Sequence, residues 1–395
     1  MNGAVMIASA GRLAVALATL GALAVGAWWF LADHDSGDRA VVAANLPVTT
    51  ALGAGDRTGF ARATEARPLV FPDDHGPHPE FHGEWWYYTG NLTAAGGRHF
   101  GFELTFFRMA LVPPAERSIR ASAWASDQVY MAHFAITDTA RARFRSWSRT
   151  SRAALELAGA RVQPFRVWLE TWSVSSETPT ALPMRLDAAA DDVALRLRLD
   201  SAKPPVLQGE RGLSRKGPEP GNASYYYSLT RMPARGEIRL GTDTLAVTGL
   251  AWMDREWGTS ALGADLAGWD WWALQLDDGR ELMFYQLRRR DGAADRWSAG
   301  TLVEADGASR PLRPEDVRVE VLGAWRSAAT RIRYPSGWRL SLPRDHLTVE
   351  VTPRLADQEL RADTRYWEGA VAVTGTASGR PLSGRGYVEL VGYGE

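Results

Sequence analysis

The sequence predicts an all-β protein of two consecutive barrel-sized units behind an N-terminal hydrophobic helix. Three observations predict it. After the hydrophobic run, no segment carries a long amphipathic helical period. Short alternating runs recur between Gly and Pro turns, as in barrels and sandwiches. The chain has 395 residues, more than one core usually serves, so two domains are expected, at 67–256 and 257–395.

Leu13 to Ala32 is a continuous apolar run, long enough to span a bilayer as a helix and longer than most secretory h-regions. Arg12 precedes it, and Asp33, Asp35 and Asp38 follow, which favours an outward-facing body. Residues 1–32 therefore read as a signal anchor or signal peptide. The body is expected on the periplasmic side of an inner membrane, or free in the periplasm if the segment is cleaved. Residues 33–66 read as a flexible linker.

From Glu84 the strands begin. Glu84–Leu92 and Arg98–Met109 flank a Thr-Ala-Ala-Gly-Gly turn, a hairpin signal. Gln128–Thr137, Arg143–Ser148, Pro164–Trp172, Pro183–Ala188 and Val193–Asp200 follow. Lys203–Gly221 is rich in Pro and Gly and reads as a long loop. Ser224–Met232, Arg235–Leu240 and Asp243–Gly249 resume the strands. In the second unit Gly268–Leu276 and Glu281–Arg289 flank Asp277-Asp278-Gly279-Arg280, another hairpin. Further short strands run to Gly392. A small barrel with alternating inward apolar residues can enclose one apolar ligand.

Composition excludes several functions. With 45 basic and 46 acidic residues and a net charge of -1, the chain lacks the basic balance of a nucleic-acid binder. Having no Cys, it has no disulfide, thiolate metal site, Cys nucleophile or lipid-modified Cys. There is no P-loop, no GxSxG elbow and no strand-to-helix GxGxxG. The 17 Trp suit β-cores and ligand cavities alike.

Four stretches could carry chemistry. His75, His78 and His82, with Asp73, Asp74, Glu80 and Glu84, hold enough donors for zinc or iron. Pro72, Pro77 and Pro79 make this an irregular loop, unlike a helical metal motif, and hydrogen bonding at a barrel entry explains it as well. Trp85-Trp86-Tyr87-Tyr88 alternates on a strand, two rings to each face. Asp254 and Glu256 sit between Trp252 and Trp257, and Asp270 between Trp269 and Trp271. Such carboxylates are either desolvated, with a raised pKa, or paired with Arg. One kept protonated can act as a general acid. The catalytic candidates are Asp254, Glu256 and Asp270. The ligand-binding candidates are His78, Trp85, Trp86, Tyr88, Trp252, Trp257, Trp269 and Trp271. The fourth stretch, Tyr366-Trp-Glu-Gly with Gly384–Tyr393, reads as a structural closing strand pair. No metal or other cofactor is expected.

FPDDHGPHPEFHGEWWYYTGNL, FGFELTFFR, AWMDREWG with GWDWW, and YWEGAVAVTGTASGRPLSGRGYVELVGY together resemble the family of AttH-like proteins and carotenoid 1,2-hydratases, over about residues 68–395. The resemblance implies two lipocalin-like barrels. It implies either of two roles: an exported protein holding an apolar or lipid ligand beside a lipoprotein-export-type ABC transporter, or a cofactor-independent hydratase of acyclic isoprenoids. Fungal relatives of similar fold catalyse pericyclic ring closures. The anchor and the His-rich entry fit the exported branch. No His-x-Trp pair stands near Asp254 or Asp270, so no hydratase residue is carried over to this chain. The expectation is an exported, membrane-anchored binder of an apolar molecule, with the hydratase as alternative.

Overall fold

The computed structural model describes residues 57–118, 122–260, 262–263, 265–362 and 364–394. The hydrophobic run 13–32 and the linker up to residue 56 lie outside the described residues. Among the described residues there are strands and short 3-10 turns but no α-helix, and every pairing between named strands is antiparallel.

The first sheet contains β1 (Gly83–Ala94), β2 (His99–Ala110), β3 (Gln128–Asp138), β4 (Arg143–Arg152), β5 (Ala158–Arg161), β6 (Arg166–Leu169), β7 (Trp172–Ser175), β8 (Met184–Ala190), β9 (Val193–Leu199), β10 (Val206–Leu207), β11 (Leu213–Arg215), β12 (Ala223–Leu240) and β13 (Asp243–Gly258). Its order is β4-β3-β2-β1-β13-β12-β9-β8-β7-β6-β5, with β10 and β11 on β12. The two ends of this sheet meet. Phe134 on β3 packs edge-on against Trp172 on β7, ring centroids 5.6 Å apart. The sheet thus curls into a nearly closed barrel around one apolar core.

The second sheet begins with β14 (Leu266–Leu276), β15 (Glu281–Arg289), β16 (Ala299–Val303), β17 (Ser309–Leu312) and β18 (Arg318–Val321). A two-stranded ribbon of β19 (Ala324–Arg326) and β20 (Arg333–Pro335) stands apart from it. β21 (Trp338–Leu342), β22 (Leu347–Pro353), β23 (Glu359–Arg361), β24 (Arg365–Ala377) and β25 (Arg380–Val391) complete the sheet. Its order is β17-β16-β15-β14-β25-β24-β22-β21-β18, with β23 on β24. It forms a half-barrel around Trp272, Trp338, Trp367 and aliphatic neighbours.

Strand alternation decides what each face does. On β1, Trp86, Tyr88 and Leu92 join the first barrel's interior. Tyr87 joins a third cluster with Tyr226, Trp252, Trp271, Met283, Tyr285 and Tyr387. That cluster draws on outward faces of both barrels, so the barrels pack wall to wall. β1 is buried on both faces for this reason, with Trp86 through Leu92 all buried.

Both expected hairpins form. Gly96 and Gly97 take φ of 72° and 80° at the first turn, and Gly279 takes 89° at the second, a region that only Gly enters freely. Three expectations shift. The strand expected to break at Pro233 continues as one 18-residue β12, because a register shift between Leu229 and Met232 absorbs the irregularity. The 203–221 loop contributes β10 and β11. The strand expected over Asp243–Gly249 runs on to Gly258. The last part of the expected linker also packs on the barrel, with Phe60 and Ala63 buried.

Candidate active site between the barrels

The histidine-rich entry forms a plug in the first barrel. Arg255 lies over the Trp86 ring, 4.0 Å from its centroid. Glu84 accepts hydrogen bonds from Arg108 and Arg255, and all three side chains are fully buried. Arg255 also donates to the Gly76 carbonyl at 2.6 Å and to His78 Nδ1 at 3.0 Å. His78 Nε2 therefore donates to Asp74, at 2.8 Å, and the His78 ring stacks on Trp257 at 3.8 Å. Trp86 Nε1 donates to the His75 carbonyl, and His75 Nδ1 lies 2.6 Å from the Tyr227 hydroxyl. These donors are committed to one another. Among the described residues no group of three or more His, Asp or Glu is arranged to hold a metal.

His78, Trp86, Tyr88 and Trp257, expected to bind ligand, are thus parts of this interior and do not line the cavity. For Trp86, Tyr88 and Trp257 the physical reason is strand parity, since each faces inward; His78, on the entry loop, is held there by Asp74, Arg255 and the Trp257 ring. Asp270 is likewise absent from it. On β14 it faces the opposite way from Trp269 and Trp271, where Arg288 Nε bonds it at 2.9 Å and the Tyr393 hydroxyl bonds it at 2.9 Å.

The cavity lies at the wall between the barrels and has a volume of about 170 Å³, space for far more than one water. Trp85, Tyr87, Phe107, Trp269 and Trp271 supply aromatic surface. Asp254, Glu256, Lys216 and Glu389 supply charge or acidity. Of the expected residues, Asp254, Glu256, Trp85, Trp269 and Trp271 meet here. Trp252 stands behind the wall, edge-on to Trp271, and donates to Asp254 at 2.7 Å. Antiparallel register gathers the set: Trp85 pairs with Glu256 and Tyr87 with Asp254, while Trp271 pairs with Glu389.

The carboxyls differ in environment. Burial pushes Asp254 up to about 7, against hydrogen bonds from Ser228, Tyr226 and Trp252 that lower it. Its Oδ1 accepts from Ser228 at 2.5 Å and its Oδ2 from Tyr226 at 2.5 Å. Burial pushes Glu389 up to about 8, with charge on Glu103, Asp254 and Glu256 adding to it. Among the described residues Glu389 accepts one side-chain hydrogen bond, from Trp269 Nε1 at 3.0 Å. Lys216 lies 3.4 Å from Glu256 and 4.1 Å from the Tyr285 ring centroid. Burial lowers its pKa, but Glu256 and Tyr285, by charge and hydrogen bonding together, outweigh this and hold it above the ordinary value. His82 at the rim is pushed down to about 4 by burial, then by Arg57 and Arg108.

The sequence reading passed over Tyr87, Lys216, Tyr226 and Glu389. Parity could have found Tyr87, which shares a face with Trp85. Glu389 lies in the stretch read as a structural closing pair, and nothing local marks it.

A family model described as AttH-like matches residues 62–393. The chain belongs to the AttH-like family. A crystal structure of a candidate AttH from Nitrosomonas europaea is 38% identical, with a TM-score of 0.74, over 85% of this chain and 100% of that one. Kievitone hydratase from Nectria haematococca shares the AttH-like fold at 15% identity and a TM-score of 0.64, over 86% of this chain and 97% of its own. CghA does so at 16% identity and a TM-score of 0.52, over the same shares. No curated protein sequence matches the chain significantly. The lipocalin-like architecture of two sheets is therefore that of the AttH-like family.

Proposed function

We propose that this AttH-like protein catalyses acid-promoted addition of water to an alkene of an apolar, isoprenoid-like molecule, or the reverse elimination, in the cavity between its barrels. The observation that carries the reading is Glu389: a half-buried carboxyl, raised to about 8, on an aromatic wall. Held protonated, it gives its proton to one alkene carbon. The cation forms on the other carbon, where indole and phenol faces stabilise it. Asp254, when ionised, adds attraction across the cavity. Water adds to the cation and returns a proton to the Glu389 carboxylate, so the acid is restored. Acid–base addition of water asks for nothing beyond these groups. The hydratase named among the structural neighbours supports the choice of reaction class.

The test is incubation of the full chain with a panel of acyclic isoprenoid alkenes, followed by mass spectrometry. Products heavier by one water are expected. Glu389→Gln should lower kcat by about a hundred- to ten-thousand-fold while ligand uptake persists. Uptake by the wild type without any mass gain would overturn catalysis and leave the carrier reading. No uptake at all would remove both.

A further inference from the structure

Behind the cavity wall stands a second pair of acids. Glu103 on β2 and Glu368 on β24 come from different barrels, are almost wholly buried, and are brought together where Tyr366, two residues before Glu368 on β24, bonds Glu103. Around them the donors can be assigned. Tyr366 donates to Glu103 Oε1 at 3.1 Å, and Thr105 donates to the same oxygen at 2.9 Å. The Tyr366 oxygen then accepts from His133 Nδ1 at 2.7 Å, and His133 Nε2 accepts from Thr364 at 3.2 Å. Tyr87, which lines the cavity, donates to Glu368 Oε1. Glu103 Oε2 and Glu368 Oε2 are left buried without a partner. Two orphaned oxygens on neighbouring carboxyls are what a proton between them would satisfy, and like charges this close cannot both ionise.

We infer that Glu103 and Glu368 form a proton-holding site, one proton shared between two carboxyls, joined to the cavity through the Tyr87 hydroxyl. Every neighbouring titratable group fits. Glu389 is the cross-strand partner of Glu368 and repels its ionised form. Tyr87, Tyr366 and Tyr387 are all held neutral by burial, well above the ordinary phenol value. His133 is held neutral too, pushed by burial to about 3. Burial likewise raises Glu103 to about 7 and Glu368 well above the usual carboxylate range. Resting on the reading above, the pair would exchange its proton with Glu389 during turnover. Neither Glu103 nor Glu368 touches substrate, so both are positioning residues.

The site itself is testable without substrate. Infrared difference spectra of the full chain across pH, wild type minus Glu103→Gln and wild type minus Glu368→Gln, report the protonated carboxyl stretch. Either substitution should abolish the shared step and raise the remaining carboxyl's acidity by about tenfold or more. Tyr87→Phe, which keeps both acids, should shift the same band. Two carboxyls that titrate independently, each substitution removing one signal and leaving the other unmoved, would overturn the proposal. So would a Tyr87→Phe band identical to wild type. Catalytic failure of the wild type would leave this outcome intact.

Discussion

At the residue scale, the neighbours of an acid decide what its removal from water does to it. Glu84 meets two guanidinium groups, and their charges hold it far below the ordinary carboxylate range despite full burial. Glu389 meets none and is pushed up. Glu84→Gln would leave Arg108 and Arg255 buried without a counter-charge, and chemical denaturation should show a loss of about 3–5 kcal/mol. The pH dependence runs the other way for Glu389. Its folded pKa, about 8, exceeds its ordinary value of 4.5. Its contribution to stability is therefore complete below the ordinary value and disappears as pH rises through the folded one. Asp254 and Glu103, both near 7, add to the same fall. Melting temperature should decline across that window in the wild type, and less steeply in Glu389→Gln.

At the element scale, the irregularity in β12 connects the barrels. Between Leu229 and Met232 the register slips, and Thr230 and Arg231 turn toward the second barrel. Gln275 donates to the Thr230 carbonyl at 2.8 Å, and Arg231 and Lys203 both bond the buried Glu281. Glu281→Gln should cost about 3–5 kcal/mol and increase amide exchange in β12 and β15 before the rest of either sheet, as hydrogen-exchange mass spectrometry would show. This element also marks where sequence reading stops. Strand alternation and the Asp278-Gly279 turn were legible as local patterns. So were Asp254, Glu256, Trp85, Trp269 and Trp271, whose chemistry is concentrated in short motifs. The bulge was not, because Pro233 argues locally for a break that pairing overrides. Glu389 and Lys216 were not, because only the antiparallel register and the docking of two sheets bring them to Asp254. Trp86 and Trp257 belong to the barrel interior by strand parity, while Trp85 and Tyr87 line the cavity.

At the scale of the whole molecule, the barrels share a buried seam. Aromatic packing is reinforced by Asn91 on the Gly386 carbonyl at 3.0 Å and by Thr137 on Gln358 at 2.7 Å. A seam buried and bonded from both sides couples the halves. Calorimetry of the full chain should show one transition, with van't Hoff and calorimetric enthalpies equal. Two resolved transitions would mean that the seam opens first, taking the cavity with it.

The filled barrel interiors bear on how ligands are sought. A search aimed down the mouth of the first barrel, as for a calyx, would meet Trp86, Trp257 and the Arg255 guanidinium already in place. Compounds shaped to wedge between two walls are the better starting library. Resistance to them should arise at Trp85, Tyr87, Trp269 or Trp271, positions that can change while both barrel cores stay as they are.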